Sequence, residues 1–125
     1  LKLNPKHVSA YIYRGFLYYK AALIQKDAER LANFEKAMND YQSAIDKDPK
    51  SGIAHFLKAM VWSVRSQDPD ATSDTEKTDR INKSFEELRV SIEEKDFKGF
   101  DRIKNDKGFE AVKNDPRVQK LIQGK

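Results

Sequence analysis

Apolar and small side chains recur at three- or four-residue steps through the first half of the chain, between polar positions. Residues 7–25 carry one such stripe, formed by Tyr11, Gly15, Tyr18 and Ala22. This period places the four side chains on one face of a helix. A second stripe follows Asp27 and consists of Leu31, Phe34, Ala37, Met38, Tyr41, Ala44 and Ile45. The pattern predicts two helices joined by a turn at Lys26 and Asp27, with Asp27 as the N-cap of the second helix.

Small residues within these stripes predict close packing between the two helices. A glycine in a helix interior costs roughly 1 kcal/mol relative to alanine, so Gly15 needs a structural reason. The reason we expect is a close approach of the helix that carries Ala37, Tyr41 and Ala44, because the small side chains of Ala37 and Ala44 allow short backbone distances.

A second helix pair is predicted in residues 51–96. Ser51 is placed to cap a helix that contains His55, Phe56, Ala59 and Trp62. The partner helix is expected over residues 80–95, capped by Thr78 or Asp79, with a stripe formed by Ile81, Ser84, Phe85, Leu88, Ser91 and Ile92. Residues 67–79 contain Pro69 and no large apolar side chain, which predicts an exposed, mobile loop.

The tail, residues 97–125, contains a short internal repeat. Residues 100–106 (FDRIKND) are echoed nine positions later by residues 109–115 (FEAVKND). Asp115 before Pro116 predicts a helix start, because proline is favoured at the first helical position. We expect short helices that cover the open apolar edge of the helix pairs, with a detachable motif for a partner as the alternative.

These motifs resemble the tetratricopeptide repeat, whose pattern is W-x2-L-G-x2-Y, then A-x3-F, then a closing proline. Here the matching residues are Tyr11, Arg14, Gly15, Tyr18, Ala37, Tyr41, Ala44 and Pro49. The resemblance covers residues 1–96 and implies an all-α fold of tandem antiparallel helix hairpins, an α-solenoid with short C-terminal capping helices.

The domain organisation that follows is a single domain over residues 1–125. Residues 1–5 would end a preceding repeat, residues 7–49 and 51–96 would form the two helix pairs, and residues 97–125 would form the capping tail. We therefore expect the chain to be a piece of a longer protein that contains its last two repeats.

The resemblance also implies where a partner binds. In this family one face of the first helix of each pair lines a concave groove that holds peptides or partner helices. The corresponding residues here are Ser9, Ile12, Phe16, Tyr19, Ile53, Phe56, Met60 and Ser63. They are mostly apolar, which favours a hydrophobic peptide or an amphipathic helix over an acidic tail. The alternative is that these side chains are simply core.

Composition and charge narrow the function classes. The chain has no cysteine, two histidines and no motif typical of nucleophilic, phosphate-binding or metalloprotease sites, so we predict neither an enzyme nor a cofactor or metal site. The net charge of +4 is spread over alternating acidic and basic residues, which makes nucleic-acid binding the less favoured alternative. Self-association is another alternative. No apolar run is long enough for a membrane helix, so we expect a soluble protein, with the cytoplasm slightly favoured.

Overall fold

The computed structural model describes residues 7–124, and all regular secondary structure in that range is helical. The α-helices are α1 (Val8–Leu23), α2 (Asp27–Lys47), α3 (Gly52–Arg65), α4 (Asp74–Arg89), α5 (Phe100–Asn105) and α6 (Pro116–Gln123). A π-helical turn, Val90–Glu94, continues α4, and a 3-10 turn, Lys107–Phe109, lies between α5 and α6. The predicted all-α class is confirmed. The predicted repeat remnant, residues 1–5, lies outside the described residues.

Helices α1 and α2 form an antiparallel hairpin. At the turn end, the Arg30 guanidinium donates a hydrogen bond to the carbonyl oxygen of Ala22, at 3.0 Å. At the opposite end, Arg14 pairs with Asp40 at 2.7 Å. From Arg30 to Asp40 the residue number on α2 rises, whereas that of the contacted residue on α1 falls from Ala22 to Arg14. The two helices therefore run in opposite directions.

Gly15 is the point of closest approach between these helices. A Cβ atom added to it would lie 2.7 Å from Cε1 of Tyr41 and 3.1 Å from Cβ of Asp40. Tyr41 and its neighbours Ala37 and Ala44 are fully buried. The predicted contact between Gly15 and this face of α2 is therefore confirmed.

Gly15→Leu should lower the free energy of unfolding by about 1–3 kcal/mol, because its side chain would overlap the ring of Tyr41. Urea denaturation of both proteins measures the difference. Ala32→Leu is the control, since Ala32 is exposed on α2 and a larger side chain there has space. Equal stability of Gly15→Leu and the parent would contradict this packing.

Helices α3 and α4, with the π-helical turn, form the second hairpin. Ser84 donates to the carbonyl oxygen of Ala59 and Ser91 donates to that of Gly52, both at 2.8 Å. Both serines are fully buried, so each hydroxyl finds its partner in the facing helix backbone. The predicted N-cap Ser51 is confirmed by its Oγ, which accepts a hydrogen bond from the Ala54 amide at 3.3 Å.

Two predicted helix starts are wrong. Helix α4 begins at Asp74, six residues earlier than expected, and its cap is Ser73, whose Oγ accepts from the Glu76 amide at 3.1 Å. The last part of the predicted loop, residues 74–79, is therefore helical. Ala71, which precedes this helix in the same predicted loop, is buried. Asp27 does not cap α2 either: its φ of 56° is left-handed, a conformation that aspartate tolerates better than most residues, and the N-cap position is Lys26.

The tail packs into the same core as the two hairpins. Its fully buried side chains are Ile103, Phe109, Val112 and Val118. The internal repeat has a structural counterpart, because its equivalent aspartates, Asp106 and Asp115, accept hydrogen bonds from the amides of Gly108 and Arg117, both at 2.8 Å. Each copy thus supplies buried side chains and then starts the next helical turn. The predicted helix start at Pro116 is confirmed.

Candidate functional site

The residues predicted to line an open groove are largely buried. Tyr19, Phe56, Met60 and Ser63 are at most 3% exposed. Ile12, Phe16 and Ile53 are half-buried against the core, and Ser9 alone among the eight is exposed. The expectation of an open apolar surface along these eight residues is therefore wrong.

The tail is the physical reason for this difference. The ring of Phe109 lies against that of Phe56, with 4.9 Å between the ring centroids. Gly108 packs so closely on Met60 that an added Cβ would overlap that side chain, and it would lie 2.8 Å from Oη of Tyr19. Since covering these apolar side chains removes them from water, the tail occupies most of the predicted groove.

One part of the predicted groove stays open. A cavity of about 640 Å³, here called the central cleft, lies between α1, α3, the start of α2 and the tail. Its lining consists of Phe16, Tyr19, Lys20, Leu23, Arg30, Met60, Ser63, Val64, Gln67, Asp68, Asp106, Lys107, Gly108, Glu110 and Ala111. Four of the eight predicted groove residues, Phe16, Tyr19, Met60 and Ser63, are thus brought together at one cavity.

The carboxylates of the central cleft already have partners. Each lies within 4 Å of a cationic side chain, in the pairs Asp68–Arg30 (2.7 Å), Asp106–Arg102 (3.6 Å) and Glu110–Lys113 (3.0 Å). The negative charge of the cleft is therefore compensated by groups of the protein itself.

Several hydrogen-bond donors of the central cleft, in contrast, have no acceptor among the described residues. Within the described residues, neither Lys20 nor Lys107 has a carboxylate within 4 Å, and the buried Oγ of Ser63 has no hydrogen-bond partner. Lys20 extends along Phe16, with Nζ 5.9 Å from the ring centroid. Burial raises the pKa of Tyr19, so its hydroxyl keeps its proton at neutral pH and can donate. The unused polar groups of the cleft thus present positive charge and O–H donors.

A second cavity, here called the tip pocket, lies where the α1–α2 turn meets the α3–α4 turn. It has a volume of about 590 Å³ and is lined by Leu23, Ile24, Gln25, Lys26, Asp27, Ala28, Arg30, Leu31, Asp68, Pro69 and Asp70. Ile24 is 87% exposed, and Leu23 and Leu31 are each more than a third exposed. Burying such side chains is favourable, so this pocket is the second candidate for contact with another molecule.

Arg30 forms the wall between the two cavities. It donates hydrogen bonds to both carboxylate oxygens of Asp68 and to the carbonyl oxygen of Ala22, and it stacks on Phe34 with 5.0 Å to the ring centroid. These contacts hold the guanidinium in one position. This pair could not be predicted from the sequence, because the two residues are 38 positions apart and no local pattern links them.

The described helices carry neither a cluster of metal ligands nor a membrane-spanning segment. Over residues 7–124, no group of three or more His, Asp or Glu side chains is arranged to hold a metal ion. His55 lies with Nδ1 2.7 Å from Oε1 of Glu87 and so joins α3 to α4. Among the described helices, none combines the length and apolar character that crossing a membrane requires.

Comparisons of the chain with protein-family models, with curated proteins and with solved structures find no match.

Proposed function

We propose that this protein is a non-catalytic protein-interaction module that holds an acidic segment of a partner protein in the central cleft. The proposal depends on one observation, which is that the acidic groups of the cleft have partners within the protein and several of its donor groups do not. Every carboxylate of the cleft is paired, whereas Lys20, Lys107 and the hydroxyl of Ser63 have no polar partner in the described part of the chain. A carboxylate from outside would pair with the ammonium groups of Lys20 and Lys107, which are exposed, and hydrogen bonds to charged groups are stronger than neutral ones.

The shape of the cleft supports a polypeptide as the ligand. A volume of about 640 Å³ holds a few side chains and remains open to solvent on one side. Tyr19, Met60 and Ser63, which form the buried side of the cleft, are packed in the core. This side of the cleft therefore needs little reordering when a ligand binds. Two antiparallel hairpins in tandem also agree with the resemblance to tetratricopeptide repeats, and a solenoid arrangement of this type is part of the proposal.

A labelled glutamate-rich peptide tests the proposal by fluorescence anisotropy. Lys20→Glu/Lys107→Glu should weaken its binding by about tenfold or more, because each substitution replaces an attraction with a repulsion. Lys50→Glu/Lys77→Glu is the matched control, since both lysines are exposed and outside the cleft and the net charge changes equally. Equal loss in both variants would show that total charge, and not the cleft, attracts the peptide.

The alternatives raised by the sequence predict different results. Nucleic-acid binding would give a complex with a labelled oligonucleotide that weakens steeply with salt and suffers in both double variants. Self-association would appear as a mass that rises with protein concentration in light scattering without any peptide. We expect neither result under conditions in which the acidic peptide binds.

A further inference from the structure

We infer that the central cleft and the tip pocket form one continuous surface, which selects a partner segment with an acidic residue beside a large apolar residue. This inference rests on the proposed function, because the acidic residue is the one held in the central cleft. It adds the chemistry of the neighbouring position on the partner.

Continuity follows from the residues that the two cavities share. Leu23, Arg30 and Asp68 line both of them. The Arg30–Asp68 pair is held by hydrogen bonds and by stacking on Phe34, so it forms a fixed ridge between the cavities. A segment whose carboxylate lies near Lys20 can cross this ridge along Leu23 and reach the tip pocket directly.

The tip pocket defines an apolar residue for the second position. Leu23, Ile24 and Leu31 are exposed there beside Pro69, around a cavity of about 590 Å³. A leucine-sized or larger side chain placed in it would remove apolar surface from water on both molecules. Hydrogen bonds of Asp68 and Asp70 to arginines occupy the polar groups on one side of the pocket, which leaves the apolar surface as the main attraction.

The charged groups of the tip pocket set no further position. Asp68 pairs with Arg30, Asp70 pairs with Arg65 and Arg80, and Lys26 and Asp27 on the rim carry opposite charges. Lys20 and Lys107 lie at the cleft end of the surface. The acidic residue of the segment is therefore attracted to the cleft end, which leaves the tip pocket for the apolar residue beside it.

Three labelled peptides of equal length and net charge test this inference. The first carries an acidic block followed directly by two leucines and then a serine spacer; the second has serines in place of the leucines; the third has the leucines beyond the spacer. On the parent protein we expect the first peptide to bind about tenfold more tightly than the other two. On Ile24→Ser/Leu31→Ser this preference should disappear. Tyr13→Ser/Leu17→Ser, which alters exposed apolar residues of α1 outside the pocket, should retain it.

Each outcome separates the inference from the proposed function. If acidic peptides bind through Lys20 and Lys107 but leucine gives no advantage, or if the advantage survives in Ile24→Ser/Leu31→Ser, the inference is overturned and the proposed function stands. If binding does not depend on Lys20 and Lys107, the proposed function is overturned. A concentration-dependent mass without peptide that Ile24→Ser/Leu31→Ser abolishes would identify a second copy as the occupant and overturn the inference.

Discussion

Replacing Phe109 by alanine should lower the free energy of unfolding by about 3–5 kcal/mol. Phe109 is fully buried, and its ring lies 4.9 Å, centroid to centroid, from that of Phe56 on α3. Truncation would leave a cavity between the tail and the second hairpin, because the neighbouring Gly108 is already packed tightly on Met60. Urea denaturation followed by circular dichroism measures the change.

The internal repeat offers a control at the equivalent position. Phe100 occupies the same place in the first copy as Phe109 in the second, but it is only half-buried. Phe100→Ala should therefore have a smaller effect than Phe109→Ala. If Phe109→Ala unfolds at the same urea concentration as the parent, the tail is not part of the cooperative unit, and the groove that we find covered would be open in solution.

Arg14→Met should also be strongly destabilising, by about 3–5 kcal/mol. Arg14 donates to both carboxylate oxygens of Asp40, at 2.8 and 2.7 Å, and this hydrogen bonding to the carboxylate raises the pKa of the arginine. The side chain of Asp40 is only 6% exposed. Removing the guanidinium would leave the buried carboxylate of Asp40 without this partner. An uncompensated buried charge is strongly destabilising, because it has lost its hydration as well as its counter-charge. Thermal and urea denaturation measure the loss.

A double variant shows whether the cost comes from the stranded charge. Arg14→Met/Asp40→Asn removes both charges, and asparagine has nearly the same volume as aspartate, so the double variant should recover part of the stability lost in Arg14→Met. If the loss in the double variant equals the sum of the losses in Arg14→Met and Asp40→Asn, the two residues do not act as a pair.

Helical periodicity was sufficient to predict the two hairpins, because it determines which side chains share a face. Gly15 and Ser51 occupy the structural roles expected from local rules. The start of α4 was missed because residues 74–80 contain no apolar residue and follow Pro69. A local signal was present, since Ser73 and Glu76 have the spacing of a capping box.

The candidate site could not be predicted in the same way. A helical stripe shows that Phe56 and Met60 need cover, but it does not show which distant segment provides it. Here the cover comes from Gly108 and Phe109, about fifty positions further along the chain. The Arg30–Asp68 pair is another contact of this kind. Because the tail covers the apolar part of the groove, we propose an acidic segment for the central cleft in place of the hydrophobic peptide that the sequence predicted.

The covering of Phe56 by the tail has a consequence for biosynthesis. Both hairpins are made of contacts between neighbouring helices, so each can form soon after its own residues leave the ribosome. Phe109 is synthesised 53 positions after Phe56, and until it arrives the nascent chain presents Phe56 and Met60 to water or to chaperones. Aggregation during translation should therefore be greatest in the interval between completion of α4 and emergence of the second repeat copy, and slower translation through residues 95–109 would lengthen it.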